Sequence, residues 1–215
     1  MPVPRPTPIL RFIHVDNLET CLRRRALHAA NSIPSDGLPW KAIHDTEVQR
    51  KRGNVAIPCG PGGCALDYVP FYFGYLSPML LRLKTGRVEG YNEGQTPLIY
   101  LVATAQAVRA SGARFVFADG HALAGYTSWF SDLQDLTEVD WAAVNMRYWT
   151  GTAENDMDLQ RRKQAEFLVH RRCDWSIIQE IAVIDDRMRE RVEGILADYP
   201  QGLRRVVRVQ RGWYY

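Results

Sequence analysis

Apolar and polar positions switch along this chain in short blocks, most of them of strand length. Residues 9–15, ILRFIHV, offer Ile9, Phe12 and Ile13 to a core, after a lead-in whose prolines at 2, 4, 6 and 8 favour an extended backbone poor in hydrogen bonds. Asp16 or Asn17 is suited to cap a helix over 18–25, with Leu18, Cys21 and Leu22 on one face. Residues 68–83, YVPFYFGYLSPMLLRL, are dense in aromatic and β-forming side chains and predict a strand, or a pair of strands, lining a pocket. A buried strand is predicted at 98–104, an Ala-rich helix over 103–110 ended by Gly112, and a further strand at 114–118. Asp119-Gly120-His121 then turns the chain, and a helix can follow. Phe167-Leu168-Val169 is an apolar run entered from a polar segment, and 177–184 predicts one more strand. Residues 185–199 predict a helix with Met188, Val192 and Ile195 inward, and 206–215 a closing edge strand.

Two long spans carry no sustained period. Residues 26–67 are rich in Gly, Pro, Asn and Asp apart from a short helix near 44–52, and a weakly structured span of that length inside a compact domain is usually functional. Residues 121–165 carry Tyr126, Trp129, Phe130, Trp141, Tyr148 and Trp149. Strands dominate and helices are inserted between them, which favours an α+β fold with mainly antiparallel pairing over a wound βαβ sheet. No glycine fingerprint follows the first strand, and the GPGG at 60–63 lacks the lysine of a phosphate-binding loop. There is no internal repeat, and 215 residues make one domain the simpler division.

Composition narrows the class only slightly. A chain 46% hydrophobic and 24% charged is an ordinary globular protein, and its net charge of +3 does not by itself mark a nucleic-acid binder. Local clusters carry that signal instead, at 23–25, 50–52, 161–163, 171–172 and 204–205, and several converging in space would make a groove. Cys21, Cys59, Cys64 and Cys173 do not have the spacing of a disulfide scaffold or a paired zinc site, so no metal is expected. The first residues lack an apolar leader core, and no run approaches the roughly 20 apolar residues of a membrane span, which predicts a cytoplasmic protein without membrane contact.

The stretch RRKQAEFLVHRR at 161–172 brings these strands of argument together. Glu166 stands at the mouth of its strand with Arg161, Arg162 and Lys163 just upstream, where a carboxylate can stay ionised in a cleft that attracts polyanions. The other reading of the same residues is an edge-strand acid paired with an arginine. Taken singly, His14 reads as a satisfied strand-end histidine, Tyr72 as core and Arg52 as a surface charge.

An ordered set of stretches resembles the DarT family of DNA ADP-ribosyltransferase toxins, in its thymine-modifying branch. It comprises FIHVDNL at 12–18, LHAAN at 27–31, EVQRKR at 47–52, DYVPFYF at 67–73 with SPML at 77–80, ADGH at 118–121, RRKQAEFLV at 161–169 and the tyrosines 214 and 215. The resemblance implies a fold related to the poly(ADP-ribose) polymerases, two small sheets around a cleft for NAD, in a single domain over 1–215. By that likeness the family's histidine, tyrosine and glutamate fall on His14, on Tyr72 or its neighbour, and on Glu166. Val15, Asp16 and Asn31 would help to hold the dinucleotide. The catalytic arginine falls on Arg52, with Arg50 as the alternative. An arginine is a poor literal base because its guanidinium stays protonated above about pH 12, so electrostatic stabilisation of the deprotonated base, with His121 as the proton's route, is the expected division of labour.

The acceptor implied is thymine at ring N3 in single-stranded DNA, since pairing in a duplex hides that position. Residues 121–166 would recognise it, with Trp129, Trp149 and Arg162 as candidate contacts and no metal required. The acidic run ENDMDLQ at 154–160 departs from the better-known members and bears on those DNA contacts. A macrodomain antitoxin of the DarG type is the implied partner. Two other readings stay open at this point: an RNA-acting transferase of the same fold, such as an NAD-dependent RNA 2′-phosphotransferase, and a non-catalytic NAD-binding module.

Overall fold

The structure is a computed structural model that describes residues 1–149 and 156–215. In chain order its elements begin with β1 (Pro8–His14), α1 (Leu18–Arg24), β2 (Ala26–His28), α2 (Thr46–Arg52), β3 (Tyr68–Tyr72) and α3 (Pro78–Lys84). Next come β4 (Leu98–Thr104), α4 (Ala105–Ala110), β5 (Phe115–Ala118), β6 (Trp129–Phe130), α5 (Trp141–Asn145) and α6 (Leu159–Lys163). The chain finishes with β7 (Glu166–His170), β8 (Arg172–Asp174), β9 (Glu180–Val183), α7 (Asp186–Ala197) and β10 (Val206–Val209). Eight strands form one sheet in the order β10-β9-β4-β1-β3-β7-β5-β6, and β2 with β8 forms a second of two strands. All pairs are antiparallel except β9 with β10. The mixed, mainly antiparallel fold expected from the sequence is therefore present, with its two sheets unequal in size. Among the described residues no helix is long and apolar enough to cross a membrane.

The centre of the large sheet is where it opens. β1 is paired with β4 along its whole length, from Pro8 with Thr104 to His14 with Leu98, but it meets β3 in register only at Leu10 with Tyr72. Beyond that point β1 and β3 part, and Arg11 reaches across the gap to donate from Nη1 to the Pro70 carbonyl at 2.8 Å. Successive side chains alternate faces, and paired residues share one. Leu10, Phe12, His14, Tyr72 and Glu166 accordingly lie on one face, whereas Ile9, Ile13, Phe71 and Phe167 enter the larger core on the other. Phe167 is fully buried against Phe115 and Phe73, with ring centroids 4.9 and 6.0 Å away. Truncating such a side chain costs about 3–5 kcal/mol. That packing fixes the strand on which its neighbour Glu166 begins.

Several boundaries depart from the sequence reading for local reasons. Residues 78–84 are helical, not strand: Ser77 Oγ accepts from Leu80 N–H at 3.2 Å and Pro78 occupies the first turn, a start signal that overrides the β propensity of the run. In α7 the buried stripe is Met188, Val192 and Leu196, while Ile195 is only half-buried, because the spacing i, i+4, i+8 keeps one face inward. The closing strand stops at Val209; Tyr214 instead turns into the core and donates from Oη to the carbonyl of Leu98 at 2.9 Å. No helix follows the turn at 119–121.

Candidate active site

Three segments distant in sequence converge where β1 and β3 part. The first is α2, capped by Asp45, whose carboxylate accepts from the N–H groups of Glu47 and Val48. Asp45, Val48, Gln49 and Arg52 all line the cleft, a helical stripe at i, i+3, i+4 and i+7 that turns Arg52 inward and leaves Arg50 exposed. The second is the pairing of β3 with β7, which sets Tyr72 opposite Glu166. The third is the turn at 119–122, which brings His121 and the Ala122 N–H to the same place.

Their meeting point is a buried ion pair. Arg52 Nη1 donates to Glu166 Oε1 at 3.1 Å, and the Ala122 N–H donates to the same oxygen at 3.3 Å. Glu166 Oε2 lies 2.9 Å from Arg52 Nη1, yet among the described residues neither it nor Arg52 Nη2 has a hydrogen-bond partner, although both are buried. Leaving a buried polar atom unsatisfied costs about 1–3 kcal/mol, more when it is charged. Both residues, each with a hydrogen-bonding atom left over, line one cavity of about 370 Å³. That volume lies within the roughly 300–1,000 Å³ of small-molecule sites.

The rest of the cavity suits an anionic, partly aromatic ligand. Arg11, Arg24, Arg52 and Arg82 line it; Arg24 is paired with Asp36, Arg82 with Asp45 and Arg52 with Glu166, so Arg11 is left as the excess positive charge. Tyr72 stacks beside Phe12 at 6.1 Å, and burial, reinforced by the nearby Glu166 charge, pushes its phenol pKa up, so it remains a neutral ring. Burial also lowers the pKa of His121; Glu166 opposes that shift and Arg52 adds to it, which leaves the imidazole neutral at pH 7. Among the described residues no group of three or more His, Cys, Asp or Glu is placed to hold a metal.

Of the residues singled out from sequence, Arg52, Tyr72, His121 and Glu166 come together and the others do not. His14 shares their sheet face but sits at the far end of β1 with both ring nitrogens engaged: Nδ1 accepts from the Asp16 N–H at 3.1 Å, and Nε2 is 3.2 Å from Glu93 Oε2. This bonding makes Nε2 the protonated nitrogen. Val15 is buried, its N–H bonded to the Pro97 carbonyl at 2.9 Å; Asp16 is exposed and paired with Arg191. Asn31 is exposed and donates to Asp67 Oδ1 at 3.0 Å, beside Ala30, which does line the cleft.

The three proposed strand-gripping contacts lie elsewhere. Trp129 is half-buried on β6, packed toward Tyr68, Val116 and Leu168. Trp149 is buried with Ala143 and Leu159, and its indole N–H donates to Tyr215 Oη at 2.7 Å. Arg162 is enclosed by Asp140, Asp156 and Asp158, so the acidic run that departs from the family neutralises it; residues 154 and 155 of that run lie outside the described residues. Sequence reasoning missed Arg11, Trp40 and His44 as cleft-lining residues. The signal for Arg11 was legible as a lone cation inside an otherwise apolar strand.

The chain as a whole is similar to known proteins. A profile of the DarT family, described as ssDNA thymidine ADP-ribosyltransferase, matches residues 10–215. A DNA ADP-ribosyl transferase of Thermus sp. (strain 2.9) is 40% identical over 212 residues, covering 99% of this chain and 98% of that protein. The solved structure of Thermus sp. 2.9 DarT in complex with ADP-ribosylated ssDNA is 39% identical and superposes with a TM-score of 0.93 over 100% of this chain and 99% of that one. The same enzyme in complex with NAD+ gives 0.89 at 38% identity, with 100% of both chains covered. With the profile spanning nearly every residue and the cleft in place, the chain belongs to the DarT family of single-stranded-DNA thymidine ADP-ribosyltransferases.

Proposed function

We propose that this NAD-dependent DNA ADP-ribosyltransferase attaches ADP-ribose to ring N3 of a thymine in single-stranded DNA, with Glu166, Arg52 and His121 at the reacting centre. The observation that carries the reading is the buried Arg52–Glu166 pair: both residues line the cleft, and among the described residues each keeps one atom without a hydrogen-bond partner. Relatives whose solved structures hold NAD+ and ADP-ribosylated ssDNA support the choice of donor and acceptor.

The chemistry needs what these side chains offer. Breaking the bond between nicotinamide and ribose develops positive charge on the sugar, and an anion fixed in a dry site stabilises that charge more in the transition state than in the ground state. Glu166 supplies the anion: Oε1 is held by Arg52 and Ala122, and Oε2 is left to accept a ribose hydroxyl. Tyr72, a neutral aromatic face next to Phe12, is placed to stack the nicotinamide. As thymine N3 attacks, its imide proton must leave. Arg52 Nη2 faces the negative charge that develops on the base, and the neutral His121 ring takes the proton. Arg11, the excess positive charge of the lining, attracts the diphosphate. His14 is tied through Glu93 and Asp16, and with Val15, Asp16 and Asn31 it stays outside the cleft lining, so any part of theirs in holding the dinucleotide would be indirect.

In a cell such an enzyme acts as a toxin restrained by a macrodomain antitoxin of the DarG type, so expression of the chain alone should arrest growth and co-expression of that partner should relieve it. Incubating defined single-stranded oligonucleotides with the protein and NAD, followed by mass spectrometry, tests the reading. One ADP-ribose per reactive thymine, with duplexes, thymine-free strands and RNA unmodified, is the expected result. Modification of RNA at comparable rate would replace the DNA reading with an RNA one.

A further inference from the structure

The 119–122 turn carries two of the groups assigned to the reaction, yet no helix or strand holds it. Bonds from the Asp119 N–H to the Ser128 carbonyl and from the Ala124 N–H and Thr127 hydroxyl to the His121 carbonyl close the loop, and one further residue, Arg161, ties it to α6. The Arg161 carbonyl accepts the His121 N–H at 3.0 Å. Its guanidinium donates from Nη1 to Asp119 Oδ1 at 2.7 Å, and grips Asp158 with two further bonds, Nε to Oδ1 at 2.7 Å and Nη2 to Oδ2 at 2.9 Å. The ring of Tyr126, at the other end of the loop, lies 5.0 Å from the guanidinium carbon. Asp119 closes the circuit by accepting the Ser128 N–H at 2.9 Å on the oxygen that Arg161 holds.

Gly120 shows how tight this arrangement is. A Cβ there would stand 2.3 Å from Arg161 Nη1 and 2.7 Å from its Cγ. The backbone at Gly120 is not in the left-handed region, so glycine is required here by the guanidinium lying across it, not by conformation. Arg161 does not itself line the cavity and reaches it through its backbone bond to His121, which separates it from Arg52, a lining residue bonded to Glu166.

We propose that Arg161 is a positioning residue: lying across Gly120 between Asp119, Asp158 and Tyr126, it locks the 119–122 turn so that the His121 ring and the Ala122 N–H meet Glu166. The inference rests on the assignment of Glu166 and His121 to the reaction. Displacement of a reacting group by an ångström costs roughly 10²-fold in rate. Loosening the lock therefore lowers kcat while leaving the NAD and DNA binding surfaces as they are.

Three variants probe the lock from different sides. Gly120→Ala forces the guanidinium out with Arg161 still present, Asp119→Asn weakens the bond that Nη1 makes, and Arg161→Lys keeps the charge but loses the planar fork. For each variant that retains the wild-type circular dichroism spectrum and melting temperature, kcat for oligonucleotide modification is expected to fall by about 10–100-fold with KM for NAD and DNA affinity unchanged within about threefold. Lysine should recover more activity than Arg161→Gln. A second readout does not depend on turnover: NMR titration of His121 should move toward the ordinary histidine range in Gly120→Ala, because the ring gains water once the turn loosens. Folded variants with unchanged kcat and an unchanged His121 titration would overturn the proposal. So would a parallel loss of kcat and binding. Full activity in His121→Ala would instead remove that ring from the reaction, while the titration shift in Gly120→Ala would still report the lock.

Discussion

Two arginine–carboxylate clusters, one in the cleft lining and one outside it, are built in opposite ways. At Arg52 and Glu166 one guanidinium meets one carboxylate, both almost fully buried, and among the described residues each keeps an atom without a hydrogen-bond partner. At Arg162 one guanidinium meets three carboxylates, those of Asp140, Asp156 and Asp158, and every nitrogen is engaged at a site about a quarter exposed. Charge alone draws attention to the second cluster, because three cations run together at 161–163. Satisfaction points to the first. A surface ion pair with all its bonds made contributes about 0–1 kcal/mol and leaves nothing for a ligand, whereas a buried pair left incomplete costs stability that a substrate can recover on binding.

Substitutions on the two sides should separate accordingly. The largest effect belongs to Glu166→Gln, which keeps the shape and the bond from Ala122 but removes the anion; turnover of the folded protein should fall by at least about 10²–10³-fold, and the melting temperature should drop because Arg52 is left buried without its counter-charge, as steady-state kinetics and calorimetry will show. Arg52→Lys comes next, with a loss of about 10–100-fold, because an ammonium lacks the planar fork that lets one guanidinium nitrogen hold Glu166 while another is set apart for the base. The same substitution at Arg50 should change kcat by less than about twofold, since that side chain points to solvent. The contrast decides between the two arginines. On the other side, Arg162→Gln should leave activity within about threefold while lowering stability by about 1 kcal/mol, measured by urea denaturation.

The pH profile should be the mildest of these effects. Burial lowers the His121 pKa, so the unfolded chain takes up that proton first as pH falls. The contribution of the neutral ring to stability is present above the ordinary histidine value near 6.5 and is lost as pH drops from there toward the folded value. If the neutral ring accepts the proton, kcat should be flat at pH 7 and above and decline only on the acid side of 6.5. A stopped assay across pH 5–8 would reveal a different limb.

How much of this was legible in the sequence varies with the range of the interactions involved. The strands ending in His14, Thr104 and Ala118 and the helix beginning at Asp186 were readable because local periodicity determines them. The helix at 78–84 was missed although its capping serine and following proline were in plain view, because a dense apolar, aromatic run drew the strand reading. The parting of β1 and β3 has no local signature, since it depends on a single cross-strand register at Leu10 and Tyr72. The convergence of Arg52 on Glu166, 114 positions away, came from family resemblance and not from spacing. Trp149 illustrates the opposite failure: an aromatic in a loop reads equally as a stacking platform or as core, and only its partner Tyr215, 66 positions on, identifies this one as core. Arg162 is similar, because three acids from two segments neutralise it in space.

The central claim is that the incomplete Arg52–Glu166 pair drives ADP-ribose transfer to thymine N3. Its most direct test is intact-mass analysis of a single-stranded oligonucleotide containing one reactive thymine, beside the same strand carrying N3-methylthymine, each incubated with NAD and either the wild-type protein or Glu166→Gln. The account predicts one ADP-ribose adduct on the thymine strand with wild-type protein and none in the other three combinations. An adduct on the N3-methylated strand, or undiminished modification by Glu166→Gln, would contradict it.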